Sequence, residues 1–437
     1  MIVSIFGLGY VGLVSAVCLA RRGHHVIGID VNPDKLQSIR MGISPIVEPG
    51  VDELLRQGLD RGLLTVTSDV KAAVCASDVS LVCVGTPSNA NGSLCIDQVM
   101  RVAEEIGFAL RSKPTYHSVA VRSTVLPGTV DRLATMMEHA SGKTSVRDFG
   151  VASNPEFLRE GTSIADFDDP PFTVVGAHDE RLVAKLRRLY SDTTAPFYAL
   201  RIKEAELLKY ACNAFHATKV TFANEIGAIS KQLGIDSHDV MAIFAQDTKL
   251  NISPRYLRPG FAFGGSCLPK DLRAITYESR ALDVSTPLLD SLEASNQIQI
   301  RRVIDWVISR RKRRVGVLGL SFKSNTDDLR ESPMVAVVET LLGKGFEVSI
   351  FDANVNVSRL LGANRSYIEQ EIPHLSRLMR EDPKQVLEEA EVILVGNEDP
   401  RFAGLLEHLK PEQSVLDLVR VSKVSTQSGA AYEGIGW

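Results

Sequence analysis

The sequence lacks the features that mark several large classes of protein. Its 437 residues carry a formal net charge of only −4, so no general electrostatic attraction to nucleic acid or to an anionic membrane is expected. No C-x-x-C or H-E-x-x-H pattern occurs, which leaves no sequence signal for a structural zinc or a metalloprotease site. No apolar run reaches the roughly 18 to 20 residues of a membrane span. Small molecules are therefore the expected partners, and no metal site is predicted.

Cysteine is sparse, and its placement is not that of a disulfide framework. The six cysteines are scattered without paired spacing, which favours reduced thiols in a cytosolic protein. The apolar N-terminus lacks a basic start, is interrupted by three glycines, and is followed directly by Arg21 and Arg22 instead of a small-residue cleavage site. We therefore expect a cytoplasmic protein without a signal peptide.

A dinucleotide-binding pattern opens the chain. A short apolar strand, the sequence Gly7-Leu-Gly9-Tyr-Val-Gly12 and a helix are followed by a second strand that ends in Asp30. The glycines allow a tight turn, close approach of a pyrophosphate to the helix N-terminus, and tight packing of helix on strand. Asp30 stands where a carboxylate bonds a ribose 2′-hydroxyl, and it would repel a 2′-phosphate. The pattern predicts NAD rather than NADP.

Two further predicted strands, residues 79–84 and 118–124, end in hydroxyl residues. Because ligands bind beyond the carboxyl ends of strands in an open α/β sheet, Thr86 and Thr124 are candidates for the cofactor side.

Two acids follow the next predicted strand, residues 149–153. Glu156 and Glu160 lie four residues apart and are expected to share one face of a helix. They are either site residues or a solvated acidic helix start, which the helix dipole favours.

A long helix without proline is predicted from about Lys203 to Leu233. Polar residues recur on one face of it, at steps of three and four, in an otherwise apolar context. This spacing favours groups that point into a site, with a solvated stripe as the alternative. The residues of this face are Lys209, Asn213, His216, Val220 and Asn224.

A thiol lies in the glycine-rich segment Phe261-Ala-Phe-Gly-Gly-Ser-Cys-Leu-Pro-Lys-Asp271. The glycine pair lets the backbone approach a ligand or adopt positive φ, and Lys270 and Asp271 supply opposite charges close to Cys267. The pattern suits a reactive cysteine. A buried, inert cysteine is the alternative, since free cysteine is among the most buried residue types.

The chain then restarts as a second strand–loop–helix–strand unit. A helix with Thr286 as its N-cap precedes it, and its second strand again ends in an acid, Asp352. Strands at residues 392–397 and 414–417 complete a Rossmann-like half whose glycines are too few for the full dinucleotide pattern. A mononucleotide or a sugar nucleotide is the predicted ligand.

Two nucleotide-binding halves joined by a long helix, with a cysteine loop between them, resemble the nucleotide-sugar 6-dehydrogenase family over the whole chain. Within the family, the chain is most similar to members that act on GDP-mannose, by the sequences of residues 44–50, 212–216, 258–263 and 433–437. It departs from them at one point, since Arg255 precedes Tyr256 where those members tend to carry consecutive tyrosines. The markers of the family are Gly7-Leu-Gly-Tyr-Val-Gly12, Gly85-Thr-Pro87, Ser123-Thr-Val125, Asn154-Pro-Glu-Phe-Leu-Arg-Glu160, Lys209 with Asn213, Gly264-Gly-Ser-Cys-Leu-Pro-Lys-Asp271 and Phe322-Lys-Ser-Asn-Thr-Asp-Asp-Leu-Arg330.

The resemblance implies a four-electron oxidation of the C6 hydroxyl of GDP-mannose to GDP-mannuronate, an alginate precursor, with NAD as the cofactor. UDP-glucose is the alternative substrate, and a catalytically silent sugar-nucleotide-binding protein is the alternative of another class. The implied catalytic residues are Cys267, Lys209, Asn213, Asp271, Glu160 and Thr124. Those implied to face NAD are Gly7, Gly9, Tyr10, Val11, Gly12, Asp30, Lys35, Thr86, Thr124, Lys270 and Arg330. Those implied to face the sugar nucleotide are Glu160, Lys209, Asn213, His216, Asn224, Tyr256, Arg258, Phe261, Gly264 and Lys323.

The expected fold class is α/β, with two Rossmann-like, doubly wound parallel-sheet domains joined by a central helical segment. The expected domains are an NAD-binding domain at residues 1–202, a helical domain with the cysteine loop at 203–300, and a sugar-nucleotide-binding domain at 301–437. The long helix is a plausible subunit interface, so a homodimer or a higher homo-oligomer is expected. Because Arg330 belongs to the third domain, the resemblance implies that the cofactor site closes only when domains meet.

Overall fold

The chain divides into two units, Met1–Ala217 and Thr218–Trp437. The computed structural model describes residues 1–91, 93–253, 256, 259–265, 268–321, 329–355, 372–421 and 429–436. None of the described helices is both long and apolar enough to cross a membrane. The domain boundaries predicted near residues 202 and 300 stay predictions.

Short apolar runs form the strands of the first unit, because helices cover both faces of a mostly parallel sheet. The strands are β1 Ile2–Phe6, β2 His25–Ile29, β3 Leu64–Thr67, β4 Val79–Val82, β5 His117–Val121, β6 Phe149–Ser153, β7 Thr173–Ala177 and β8 Phe197–Leu200. The helices are α1 Tyr10–Arg21, α2 Pro33–Arg40, α3 Val51–Asp60, α4 Val70–Ala76, α5 Asp97–Leu110, α6 Thr129–Ser141, α7 Ser163–Asp168 and α8 Glu180–Leu189.

The first sheet has the strand order of a dinucleotide-binding fold. Its order is β3-β2-β1-β4-β5-β6-β7-β8, with β7 antiparallel to β6 and the other pairings parallel. The direction of winding reverses between β1 and β4, and ligands bind beyond the carboxyl ends of strands at such a point. The loops after these two strands, at Gly7 and at Thr86, therefore lie where the sequence predicts the cofactor.

The second unit carries a smaller sheet in which all pairings are parallel. Its described strands are β9 Arg314–Leu318, β10 Glu347–Phe351, β11 Val392–Val395, β12 Ser414–Asp417 and β13 Ala431–Gly434, in the order β10-β9-β11-β12-β13. Its reversal lies between β9 and β11. The two Rossmann-like sheets confirm the predicted fold class, but β13 was not predicted, since its sequence Ala-Tyr-Glu-Gly has no apolar run.

One helix belongs to both units, because α9, Ile202–Gln232, begins in the first and ends in the second. The prediction of a long helix over this stretch is confirmed. The second unit continues with α10 Ser237–Phe244, α11 Leu268–Ala281, α12 Pro287–Ser309, α13 Pro333–Gly343, α14 Leu375–Leu378, α15 Pro383–Glu389, α16 Pro400–Leu405 and a 3₁₀ turn at Leu406–His408.

The N-terminus of α12 is capped differently from the prediction. Thr286 is the N-cap residue by position, but its hydroxyl is buried without a hydrogen-bond partner among the described residues. The carboxylate of Glu225, on α9, instead accepts from the N–H groups of Leu288 (2.8 Å) and Leu289 (3.1 Å). A carboxylate can serve two free N–H groups at the positive end of a helix, where a hydroxyl serves one.

A row of polar side chains crosses the core of the first sheet. Ser4 of β1 lies 2.7 Å from Ser80 of β4 (Oγ to Oγ), and Ser80 Oγ lies 2.7 Å from Nε2 of His117 at the start of β5. His117 is fully buried. Burial, with a smaller contribution from the positive charge of Lys113, lowers the pKa of His117 to about 3. The imidazole is therefore neutral in the folded protein at physiological pH.

The buried histidine should make stability depend on pH. An unfolded histidine titrates near 6.5 and the folded one near 3, so the unfolded state binds more protons between these values and stability falls as the pH falls. From pH 7 to pH 5 this residue alone should remove about 2 kcal/mol from the free energy of unfolding. Urea unfolding at pH 7 and at pH 5 measures this decrease in the free energy of unfolding. The decrease should be about 2 kcal/mol smaller in His117→Gln than in the wild type.

The matched control is His25→Gln, which replaces an exposed histidine at the start of β2 and should unfold with the wild-type pH dependence. An equal loss of stability in His117→Gln and the wild type would contradict the assignment.

Candidate functional site

The loop after β1 has no room for a side chain at two of its three glycines. Gly7 has φ of +87°, and a Cβ there would lie 2.9 Å from a methyl carbon of Val84. A Cβ on Gly12 would lie 1.8 Å from the carbonyl oxygen of Gly7. These two contacts bring α1 directly against the loop, which is the tight turn and the close helix packing that the sequence predicts.

The third glycine has open space around it. No described atom lies within 4 Å of the position that a Cβ on Gly9 would take. Gly9 is the N-cap residue of α1, where free N–H groups and the helix dipole favour an anion. The loop therefore fits the pyrophosphate of a dinucleotide, which could approach the backbone at Gly9.

A buried carboxylate holds the same loop. Asp30, directly after β2, accepts from the N–H of Leu8 (2.9 Å), from Nζ of Lys35 (2.7 Å) and from the N–H of Asn32 (3.0 Å). Burial alone would raise the pKa of Asp30, but these hydrogen bonds outweigh burial and lower it. The ionised carboxylate accepts only, which suits a ribose hydroxyl and opposes a 2′-phosphate.

Tyr10 connects α1 to the segment before α7. Its hydroxyl donates to Oε2 of Glu48 (2.5 Å), and Glu48 also accepts from the N–H groups of Gly161 (2.7 Å) and Ser163 (2.8 Å). Burial would raise the pKa of Glu48, but these hydrogen bonds lower it to about 2. The sequence predicted a role for Tyr10 and none for Glu48, because nothing in the local pattern shows which backbone groups Glu48 reaches.

The two predicted threonines lie together at the ends of β4 and β5. Thr86 Oγ1 donates to the carbonyl oxygen of Thr124 at 2.9 Å. The neighbouring Ser123 donates to the carbonyl oxygen of Val84 at 2.6 Å. These bonds join the end of β4 to the end of β5. Because β4 and β1 lie on either side of the reversal of the sheet, Thr86 lies beside the expected ligand position.

Lys209 is buried, with 8% of its surface exposed. Its ammonium donates to the carbonyl oxygen of Glu156 (2.6 Å) and to Oε1 of the same residue (3.0 Å). It also lies 5.3 Å from the ring centroid of Phe157. Within the described part of the chain, these two bonds use two of the three N–H groups of an ammonium. One donor therefore remains for a ligand.

The helix expected around Glu156 and Glu160 does not form. Residues 154–159 are irregular, Glu160 lies in a turn and is exposed, and α7 begins only at Ser163. Side-chain carboxylates take the N–H groups that a helix would use: Glu156 accepts from Leu158 (2.7 Å), and Asp166 accepts from Arg159 (2.8 Å). Here side-chain carboxylates compete with backbone carbonyl oxygens for the N–H groups. This competition prevents the helix that the spacing of the two acids predicts.

A buried polar triangle anchors the start of that segment. Oδ1 of Asn154 accepts from Nη1 of Arg122 (3.0 Å) and from the hydroxyl of Tyr190 (2.7 Å), and its Nδ2 donates to the carbonyl oxygen of Val174 (2.9 Å). Arg122 is 6% exposed and Asn154 is 1% exposed. Glu156, two residues further on, is thus carried by a rigid support. No local sequence pattern indicates the contacts among these three polar residues.

The remaining predicted residues of α9 are exposed. Asn213, His216 and Asn224 lie on the helix surface, and Val220 on the same face is 61% exposed. Their predicted roles toward a substrate stay predictions.

Val11, which was predicted to face NAD, lies in the first turn of α1 and is half-buried.

A second candidate loop lies at the reversal of the second sheet. Asp352, directly after β10, accepts from the N–H groups of Leu320 (2.8 Å) and Ser321 (2.9 Å), as Asp30 does in the first unit. Gly319 has φ of +94°, and a Cβ there would lie 2.5 Å from the side chain of Asn397. Oδ1 of Asn397 is buried without a partner among the residues described. The loop presents small residues and an available acceptor at the carboxyl ends of β9 and β11.

The cysteine loop is described up to Gly265. Phe261 is half-buried against the core of the second unit, and Gly264 packs against Glu331 and Pro333. Tyr256 is 84% exposed, Asp271 is exposed in the first turn of α11, and Arg330 is half-buried before α13. Four predictions fall outside the described residues: Arg258, Cys267, Lys323 and the side chain of Lys270.

Among the described side chains, no group of three or more His, Cys, Asp or Glu could hold a metal ion.

Family models match the chain in three consecutive parts. They are the NAD binding domain of the UDP-glucose/GDP-mannose dehydrogenase family at residues 1–194, its central domain at 203–298 and its UDP binding domain at 316–423. The first match coincides with the unit that carries the Gly7–Gly12 loop and Asp30.

Full-length relatives divide by substrate. The chain is 52% identical over 438 residues to a GDP-mannose 6-dehydrogenase of Pseudomonas savastanoi pv. phaseolicola, and 34% identical over 447 residues to a UDP-glucose 6-dehydrogenase of Haloferax volcanii, with 100% of both sequences covered in each case. Its structure is similar to that of a GDP-mannose dehydrogenase of Pseudomonas aeruginosa solved as a ternary complex, with a TM-score of 0.96, 51% identity and 100% of both chains covered.

The two kinds of glycine should respond differently to alanine. Gly9→Ala places its methyl group in open space and at an ordinary φ of −78°, so the free protein should keep its stability to within about 1 kcal/mol. The same methyl group would occupy the approach of the pyrophosphate, and the Kd for NAD⁺ should rise at least about tenfold, a loss of about 1.4 kcal/mol.

Gly12→Ala is the counterpart, because its methyl group would overlap the backbone of Gly7 and should cost about 1–3 kcal/mol of stability. Thermal unfolding and calorimetric titration with NAD⁺ measure both effects. Wild-type NAD⁺ affinity in Gly9→Ala, or wild-type stability in Gly12→Ala, would contradict this division.

Proposed function

The chain belongs to the UDP-glucose/GDP-mannose dehydrogenase family, and on this premise we propose that it oxidises the C6 hydroxyl of GDP-mannose to the carboxylate of GDP-mannuronate. The observation that carries the choice of substrate is the identity of 52% with a GDP-mannose 6-dehydrogenase, against 34% with a UDP-glucose 6-dehydrogenase, each over the full length. The product would serve as a precursor of alginate.

The reaction removes two hydrides from one carbon. One alcohol, two NAD⁺ and one water give one carboxylate, two NADH and three protons. The bound cofactor supplies the hydride acceptor for each step. The chain must therefore hold the alcohol, take up its proton, retain the aldehyde and deliver water to the second intermediate.

We propose that Lys209 stabilises the negative charge that develops on the substrate oxygen. Glu156 fixes the ammonium with two hydrogen bonds and leaves one N–H group for the substrate. In a buried site, a charge held in place in advance stabilises a developing oxyanion more strongly than it would in water. Thr124, Asn213, Glu160 and Asp271 are proposed to complete the proton-transfer network.

We propose that Cys267 makes the second oxidation possible. Its thiol adds to the aldehyde carbon and forms a thiohemiacetal, which loses a hydride and a proton to become a thioester. Water then displaces the thiol and releases the carboxylate. The covalent bond also keeps the reactive aldehyde on the protein between the two steps.

The second unit is proposed to bind the sugar nucleotide through the loop at Gly319, Ser321 and Asn397. Support comes from the position of this loop at the reversal of its sheet and from the match of residues 316–423 to a UDP binding domain. We also propose that the protein forms a homo-oligomer through α9, since Phe215 and Val220 on this helix are 42% and 61% exposed.

The substrate assignment is tested by supplying the purified protein with NAD⁺ and either GDP-mannose or UDP-glucose. We expect two NADH for each GDP-mannose consumed, and a kcat/KM at least about 100-fold lower for UDP-glucose, which corresponds to a difference of about 2.7 kcal/mol in transition-state binding. NADH from UDP-glucose and none from GDP-mannose would overturn the assignment. Binding of both nucleotides without NADH formation would indicate a silent binding protein.

The covalent step is tested by Cys267→Ser. The variant should bind NAD⁺ and GDP-mannose with near wild-type Kd, but the yield of GDP-mannuronate should fall at least about 1000-fold, because a hydroxyl is a weak nucleophile without an adjacent base. Cys75→Ser, which replaces an exposed cysteine on α4, is the matched control and should behave as the wild type. Wild-type yield from Cys267→Ser would refute covalent catalysis.

A further inference from the structure

Helix α12 holds the backbone of the cysteine loop through one amide side chain. Oδ1 of Asn296 accepts from the N–H of Phe263 at 2.8 Å, and its Nδ2 donates to the carbonyl oxygen of the same residue at 2.8 Å. The amide thus pairs with both backbone groups of Phe263, as a neighbouring β-strand would. Phe263 is four residues before Cys267 in the sequence.

A second amide on the same face of α12 extends this contact. Nε2 of Gln299 donates to the carbonyl oxygen of Gly260 at 2.7 Å. Asn296 and Gln299 are three residues apart and therefore adjacent on the helix surface. The next turn of α12 is fixed in the core, because Ile300 is 7% and Val303 is 0% exposed. The two amides are thus mounted on a rigid element.

The loop is also confined by the start of α13 and the residues just before it. A Cβ on Gly264 would lie 2.4 Å from both the carbonyl oxygen of Glu331 and the ring of Pro333. Glu331 is itself held by Arg273 of α11 through bonds of 2.9 and 2.6 Å. The loop backbone is therefore confined up to Gly265, and α11, which begins at Leu268, is tied to the same segment through Arg273.

We propose that Asn296, supported by Gln299, is a positioning residue for the covalent step. The inference rests on the proposed role of Cys267 as the nucleophile. Addition of a thiol to an aldehyde requires the sulfur to be aligned with the carbonyl carbon, and a displacement of about 1 Å lowers such a rate about 100-fold. The role assigned to Asn296 is exerted through the backbone of Phe263 and not on the reacting atoms. It fixes the segment that precedes Cys267 in the chain.

The first hydride transfer does not use the thiol, and the second does. Displacement of the loop should therefore slow the second transfer relative to the first, whereas a general loss of folded protein should reduce both alike. Single-turnover absorbance traces with enzyme in excess separate the two phases of NADH formation. Their rate ratio is the quantity that a merely structural role of Asn296 would leave unchanged.

Asn296→Leu keeps the number and branching of the side-chain heavy atoms and removes both hydrogen bonds to Phe263. We expect its second phase to slow at least about tenfold relative to its first, with KM for the sugar nucleotide within about threefold of the wild type. Hydrogen exchange at the Phe263 amide should accelerate, which reports that the loop has been released. Gln297→Leu is the matched control, since Gln297 is the exposed neighbour on α12, and it should leave both phases unchanged.

Equal slowing of both phases, or an unchanged ratio together with faster exchange at Phe263, would overturn the proposal. If Asn296→Leu does not fold, Asn296→Asp keeps the acceptor and removes the donor, and it is judged by the same ratio. Cys267→Ser is measured in parallel. A normal second phase in that variant refutes the thiol as nucleophile, which is a failure of the proposed function and is distinct from a failure of the role given to Asn296.

Discussion

Backbone N–H groups beyond the carboxyl ends of strands have no partner in the sheet, and buried carboxylates satisfy them in both units. Asp30 accepts from Leu8 in the first unit, and Asp352 accepts from Leu320 and Ser321 in the second. Each acid follows the strand next to the one whose loop it holds. Because an unpaired buried N–H costs about as much as a lost hydrogen bond, these two residues determine the shape of the loop proposed to bind NAD and of the loop proposed to bind the sugar nucleotide.

Glutamates perform the same task at helix N-termini. Glu206 accepts from the N–H groups of Gly128 (2.6 Å) and Val130 (2.9 Å) at the start of α6, as Glu48 does before α7 and Glu225 does for α12. Each glutamate is distant in sequence from the helix that it caps. Long side chains therefore join elements that lie far apart in the sequence. None of these contacts produces a local sequence pattern.

Features that depend on neighbouring residues could be predicted from the sequence, whereas contacts between residues distant in the sequence could not. The long helix, the glycine loop and the strands β1, β2, β4–β6 and β9–β12 depend on local apolar periodicity and on backbone geometry, so they were predicted with small errors at their ends. No prediction was made for β3, β7 or β8. The pairing of Lys209 with Glu156 spans 53 residues and that of Asn296 with Phe263 spans 33, and neither could be predicted. The prediction of a helix at Glu156 was wrong because side-chain carboxylates accept from N–H groups that the helix would have used. Strand β13 was not predicted because an edge strand needs little apolar character.

Asp30 shapes the loop through its bond to Leu8, and it is also the residue proposed to accept a hydrogen bond from the ribose of NAD. A substitution that admitted a 2′-phosphate would also leave the N–H of Leu8 and the ammonium of Lys35 without their partner. Cofactor preference in this protein is therefore coupled to the integrity of the fold. A change from NAD to NADP would therefore require the loop to be rebuilt in the same step.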